Sequence, residues 1–149
     1  MCVFWLGGAS YALDVAYVGE IVAGPAIMAV PKTPPGVLGM CNLRGTALAI
    51  LDLCTVLDLP RGDAGAGTQK QFSVLVLRAR QMTAGVKIDK AEAVYRFDRL
   101  ELKASGVMKE HPAVKGLLEL GAGNVVTLLD GEELFSRLVA MRYRKQTHD

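Results

Sequence analysis

The stretch Gly39-Met40-Cys41-Asn42-Leu43-Arg44-Gly45-Thr46-Ala47-Leu48-Ala49-Ile50-Leu51-Asp52-Leu53 holds the pattern that decides the fold. Two mainly apolar arms flank Arg44-Gly45, and a glycine at a tight reversal between apolar runs predicts a hairpin with its bend there. The second arm reads as a strand to Leu51. Asp52 then ends it, because its carboxylate can accept the unpaired N–H groups of a first helical turn. A short helix over residues 53–57 is predicted, and Pro60 stops it.

Upstream, Phe4-Trp5-Leu6 and the arm from Tyr11 to residue 15 flank Gly7-Gly8-Ala9-Ser10, which predicts another hairpin on a four-residue connection. Tyr11, Leu13 and Val15 fall on one face of its second arm, and Ala12 and Asp14 on the other. Val15, Val18 and Ile21 then recur at spacings of three, predicting a helical turn before an extended piece over residues 20–23. Pro25, Pro31, Pro34 and Pro35 exclude a long regular element before Gly36.

Downstream, residues 61–71 (RGDAGAGTQKQ) form the most loop-like segment and the expected subdomain boundary. Residues 72–77 read as a strand apolar on both faces, covered on both sides. After a turn near Arg80-Gln81, residues 85–89 alternate, with Val86 and Ile88 on the apolar face, and residues 93–97 continue extended. Residues 105–112 are polar and turn-rich. A closing hairpin is predicted over residues 114–120 and 125–129, with its turn at Gly121-Ala122-Gly123-Asn124. Asp130-Gly131-Glu132-Glu133 has the form of a capping box. Leu134 with Leu138, and Phe135 with Val139, make the terminal helix amphipathic. Ile50-Leu51-Asp52 before Val56-Leu57 is echoed by Leu128-Leu129-Asp130 before Leu134-Phe135, so two similar β-rich halves are expected.

The composition agrees. The 149 residues fit one domain or two small subdomains sharing a core. Apolar residues make up 51 % and charged residues 21 %, which predicts a filled core, and 16 glycines with 6 prolines suit many short strands better than a helical bundle. A net charge of +2 argues against a nucleic-acid binder. The apolar run 21–31 is too short to span a bilayer and is broken by Gly24-Pro25, so no membrane insertion is expected. Cys2, Cys41 and Cys54 are odd in number, lack metal-ligand spacing and follow no secretory signal, which points to the cytoplasm.

The sequence supplies no catalytic constellation and no cofactor or metal motif. His111 lies in a polar loop and His148 in the tail. The cysteines read as buried small hydrophobes, and Gly62, Gly65 and Gly67 lack the strand, helix and lysine of a phosphate loop. Asp52 and Asp130 are accounted for as caps.

Residues 3–139 resemble the CheW family of chemotaxis coupling proteins. The likeness runs in order through Phe4-x-Leu6-Gly7, Tyr11-x-Leu13-Asp14-Val15, Val18-x-Glu20-Ile21, Val30-Pro31, Gly39-x-x-Asn42-Leu43-Arg44-Gly45 and Ile50-Leu51-Asp52-Leu53. It continues, more loosely, with Gly85-x-x-Ile88-Asp89, Gly116-Leu117 and Leu128-Leu129-Asp130. The resemblance implies a mainly β fold: two intertwined SH3-like barrels of five strands each, with short helices and a C-terminal helix, making one CheW-like domain over 1–149. It also implies a non-catalytic adaptor that links chemoreceptor (methyl-accepting chemotaxis protein) signalling tips to the regulatory domain of a CheA-type histidine kinase. By position, Val18, Glu20, Gly39, Arg44 and Gly85 are then the residues of partner binding or its support, with a Glu20–Arg44 ion pair fixing the bend. Three positions depart from the family pattern: Lys87 replaces an apolar residue, Ala91 a valine and Ala49 a proline. Lys87 and Ala91 fall near the expected receptor groove. The chain carries no kinase or response-regulator segment and is expected to act as a stand-alone module. The readings set against the adaptor are a small-ligand-binding β-barrel and a thiol enzyme using Cys41.

Overall fold

The chain opens with β1 (Cys2–Leu6) and β2 (Ala9–Leu13), joined by only Gly7 and Gly8. Both glycines have positive φ, 61° and 84°. The connection is therefore a two-residue primed turn, which matches strand twist, and not the four-residue loop expected. The structure, a computed structural model, describes residues 1–59, 71–79, 82–94, 102–103, 111–119 and 123–143. The predicted turns at Arg80-Gln81 and Gly121-Ala122, most of the 61–71 and 105–112 loops, and residues 95–97 lie outside them.

A 3-10 turn at Val15–Tyr17 follows, capped by Asp14, whose carboxylate accepts the Ala16 N–H at 2.9 Å. Val15 thereby leaves the face expected for it and is exposed. Next come β3 (Val18–Ala23), β4 (Val37–Leu43), β5 (Thr46–Leu51) and the short helix α1 (Leu53–Val56). The second half supplies β6 (Ser73–Ala79), β7 (Met82–Ile88), β8 (Lys90–Val94), β9 (Leu102–Lys103), β10 (Val114–Glu119), β11 (Val125–Leu129) and the terminal helix α2 (Gly131–Tyr143).

These strands form two sheets, ordered β8-β1-β2-β11-β10-β9 and β3-β6-β7-β5-β4. The mainly β, two-subdomain fold is as expected, except that the two-residue β9 gives the first sheet a sixth strand. The two orders match strand for strand. In the second sheet the chain runs β3, β4, β5, α1, β6, β7; in the first it runs β8, β10, β11, α2, and the last two places are filled by β1 and β2 from the other end of the chain. Each sheet carries one parallel pair at the equivalent place, Ile50 opposite Gly85 and Thr127 opposite Tyr11. This arrangement is the physical content of intertwining and of the Asp52/Asp130 echo. The strands on either side of the 61–71 connection, β5 and β6, belong to the same sheet. The chain passes between sheets at residues 14–17 and at Asp89, whose N–H donates to the Trp5 carbonyl at 2.9 Å and whose carboxylate accepts from Gly7 N–H.

Alternation in the strands sorts the apolar residues into three clusters. Val3, Ala12, Leu118, Val126 and Leu128 come from the first sheet alone. Cys41, Leu48, Ile50, Val74 and Val76 come from the second alone. The largest cluster is shared: Phe4, Tyr11 and Leu13 of the first sheet meet Leu75, Leu77 and Val86 of the second, with Leu53 of α1 and Leu134 and Leu138 of α2. Val74 to Leu77 are fully buried on both faces, as their composition predicts.

Both aspartate caps form. Asp52 accepts from Cys54 N–H at 3.1 Å, and Asp130 from Glu132 and Glu133 N–H at 3.0 and 3.2 Å. The capping box is only half made, because the Asp130 N–H donates to the Ala113 carbonyl at 2.7 Å and Glu133 pairs instead with Arg137. Tyr17 ties the first crossing to α2: its hydroxyl donates to Glu132 at 2.9 Å, which with burial and nearby carboxylates raises its pKa.

Candidate partner-binding site

The site is built on the β4–β5 hairpin tip. Arg44 and Gly45 have φ of 52° and 84°, again a two-residue primed turn, and the Asn42 side-chain oxygen accepts the Gly45 N–H at 2.8 Å. A left-handed arginine is an uncommon conformation, and its side chain is held. Nη1 donates to Glu20 Oε1 at 3.0 Å and Nη2 to Oε2 at 2.7 Å, the bidentate fork expected of the pair. Arg44 keeps 74 % of its side chain exposed against 20 % for Glu20. Since β3 and β4 are the two outer strands of their sheet, this bond draws the sheet's ends together.

The other expected residues are placed differently. Val18 is half-buried at the start of β3 and packs against the shared core. Gly39 lies on β4 at a register shift, with φ of 154°. There Met28 bridges Met40 by two backbone hydrogen bonds of 2.7 and 2.9 Å, so the segment after β3 covers the free edge of β4. A Cβ on Gly39 would collide with the Met28 carbonyl oxygen. Gly85 is inside the second sheet, where a Cβ would lie 2.7 Å from Ile50 and 2.8 Å from Val74. Gly39 and Gly85 are thus positions of close packing, while Glu20 and Arg44 touch. Of the departing residues, Lys87 places its ammonium 4.8 Å from the centre of the Phe72 ring, a cation–π contact. Ala91 packs against the shared core.

Arg78 on β6 is a residue that the reading of the sequence missed. Its Nη2 lies 3.6 Å from Glu20 Oε1, and its side chain crosses over Gly19. Gly19 within a strand pattern is the signal that could have found it, since such a glycine often marks a bulge or a close approach. The β3–β6 register does shift between Val18 and Glu20.

Cys41 is 3 % exposed, and burial raises its pKa and that of Cys2. A raised pKa means less thiolate at neutral pH, so the thiol-enzyme reading loses its nucleophile. Iodoacetamide at neutral pH is expected to leave Cys2 and Cys41 unmodified until denaturant is added; prompt labelling of Cys41 in the native protein would contradict this. Among the described residues no three His, Cys, Asp or Glu are grouped to hold a metal. None of the described helices is long and apolar enough to cross a membrane. Each sheet's own cluster is packed with side chains, which disfavours a ligand inside a barrel. An open depression of about 360 Å³ lies outside, lined by Trp5, Gly8, Gln71, Asp89 and Lys90.

Comparison with known proteins shows the family and the fold. The family model for the CheW-like domain matches residues 1–139. Chemotaxis protein CheW of Bacillus subtilis is 29 % identical over 112 residues, covering 74 % of this chain and 69 % of that protein. Chemotaxis protein CheW of Klebsiella aerogenes is 26 % identical over 136 residues, covering 90 % and 80 %. The crystal structure of the scaffolding protein TtCheW from Thermoanaerobacter tengcongensis superposes with a TM-score of 0.71 at 23 % identity, over 87 % of this chain and 86 % of that one.

Proposed function

The chain belongs to the CheW-like domain family, and from that premise we propose that it is a non-catalytic adaptor coupling chemoreceptor signalling tips to the regulatory domain of a CheA-type histidine kinase, in the cytoplasm. One CheW-like unit made of both barrels performs this role. Arg44 faces the partners, while Val18, Glu20, Gly39 and Gly85 support it. The observation that carries the reading is the exposed Arg44 fork, locked by Glu20 on a tight hairpin tip. An arginine held in this way loses little freedom on binding, and arginine is favoured at energetic centres of interfaces.

Arg44→Ala tests this. An exposed pair contributes about 0–1 kcal/mol to folding, so the melting temperature is expected to stay close to that of the unchanged protein. Affinity for a receptor signalling-tip fragment or for the kinase regulatory domain, measured by titration calorimetry, is expected to fall by about tenfold or more. Equal affinity of the variant for both partners would remove Arg44 from the interface.

A further inference from the structure

Two guanidinium groups converge on one carboxylate at Glu20. Arg44 engages both of its oxygens, and Arg78 approaches Oε1 at 3.6 Å, beyond hydrogen-bond length. Among the described residues, Glu20 is the one acid at ion-pair distance from either arginine. The cluster therefore carries one unit of surplus positive charge. That surplus faces outward, since Arg44 is 74 % and Arg78 54 % exposed. Gly19 makes the arrangement possible: a Cβ there would lie 2.9 Å from Arg78 Cδ and Nε, so a larger residue would push the guanidinium aside.

We propose that Arg44 and Arg78 form a docking site for an acidic side chain of a protein partner, an Asp or Glu. The planar fork of arginine matches a carboxylate through two parallel hydrogen bonds, and Arg78 keeps its fork free of any such bond to Glu20. Arg44, fixed by Glu20, sets the position, and Arg78 supplies the uncommitted donors. The identity of the partner, though not the site itself, rests on the adaptor reading.

The test uses the full-length protein labelled with nitrogen-15, titrated with an oligo-glutamate peptide and with oligo-glutamine as the neutral control. The Nε–Hε signals of Arg44 and Arg78 are expected to shift with glutamate, not with glutamine, and less so as salt is raised. Arg78→Gln is expected to weaken binding about fivefold. Gly19→Ala, which displaces Arg78 without removing its charge, is expected to weaken it likewise. Matching thermal melts separate these effects from loss of folding. Shifts spread evenly over the lysines, or unchanged titration of Arg78→Gln, would overturn the site.

A second arm uses a receptor signalling-tip fragment and a CheA-type regulatory domain. If the unchanged protein binds one of them and Arg78→Gln binds it equally well, the acid site fails while the adaptor reading stands. If it binds neither, yet the glutamate site titrates as expected, the adaptor reading alone fails.

Discussion

Gly39→Ala is expected to destabilise the protein by about 2–6 kcal/mol, combining about 1–3 kcal/mol for overpacking with a similar cost of backbone strain. At φ 154° the new Cβ would be driven into the Met28 carbonyl, with that carbonyl's carbon only 2.9 Å away. Backbone atoms cannot rotate aside as a side chain does. The Met28–Met40 bridge would have to open, exposing the free edge of β4. Gly45→Ala is the control, because Gly45 also has a positive φ of 84° but nothing lies within 4 Å of its Cβ position. Urea unfolding is expected to give a lower midpoint for Gly39→Ala than for Gly45→Ala, at an unchanged slope. Equal midpoints would mean that strain, and not the close approach of Met28, explains the glycine.

Phe4→Ala is expected to cost about 3–5 kcal/mol, a large part of the 5–15 kcal/mol typical of a whole domain. Phe4 is fully buried on β1, stacks on Tyr11 at 5.8 Å and belongs to the cluster shared by both sheets. The loss should therefore weaken both barrels together. Trp5 fluorescence reports on the first sheet and amide exchange at Val74–Leu77 on the second; their unfolding midpoints are expected to drop by the same amount. A second sheet that keeps its protection while the first melts would contradict a common core.

Much of this architecture was legible because short-range chemistry is local. Gly7-Gly8 and Arg44-Gly45 marked their turns, Asp52 and Asp130 their helices, and the apolar run at Val74 a strand covered on both faces. The pairing of β2 with β11 was not legible from the residues, since nothing in Tyr11 or Thr127 encodes a partner from the other end of the chain. The family resemblance implied intertwined barrels without saying which strands pair, and it also supplied the Glu20–Arg44 pair. The half-made capping box shows a tertiary bond overriding a local motif: the Ala113 carbonyl took the N–H that Glu133 would have accepted. Arg78 stayed hidden because its reach to Glu20 depends on the bulge at Gly19, visible only once β3 and β6 are in register.

The central claim, that this chain bridges two different proteins, is tested most directly by mixing it with a receptor signalling-tip fragment and a CheA-type regulatory domain and measuring the mass of the complex by light scattering. Adaptor action predicts a species containing all three components, with each pair also formed separately and Arg44→Ala depleting the three-component species. Mutually exclusive binding, in which one partner displaces the other and only two-component species form, would contradict it.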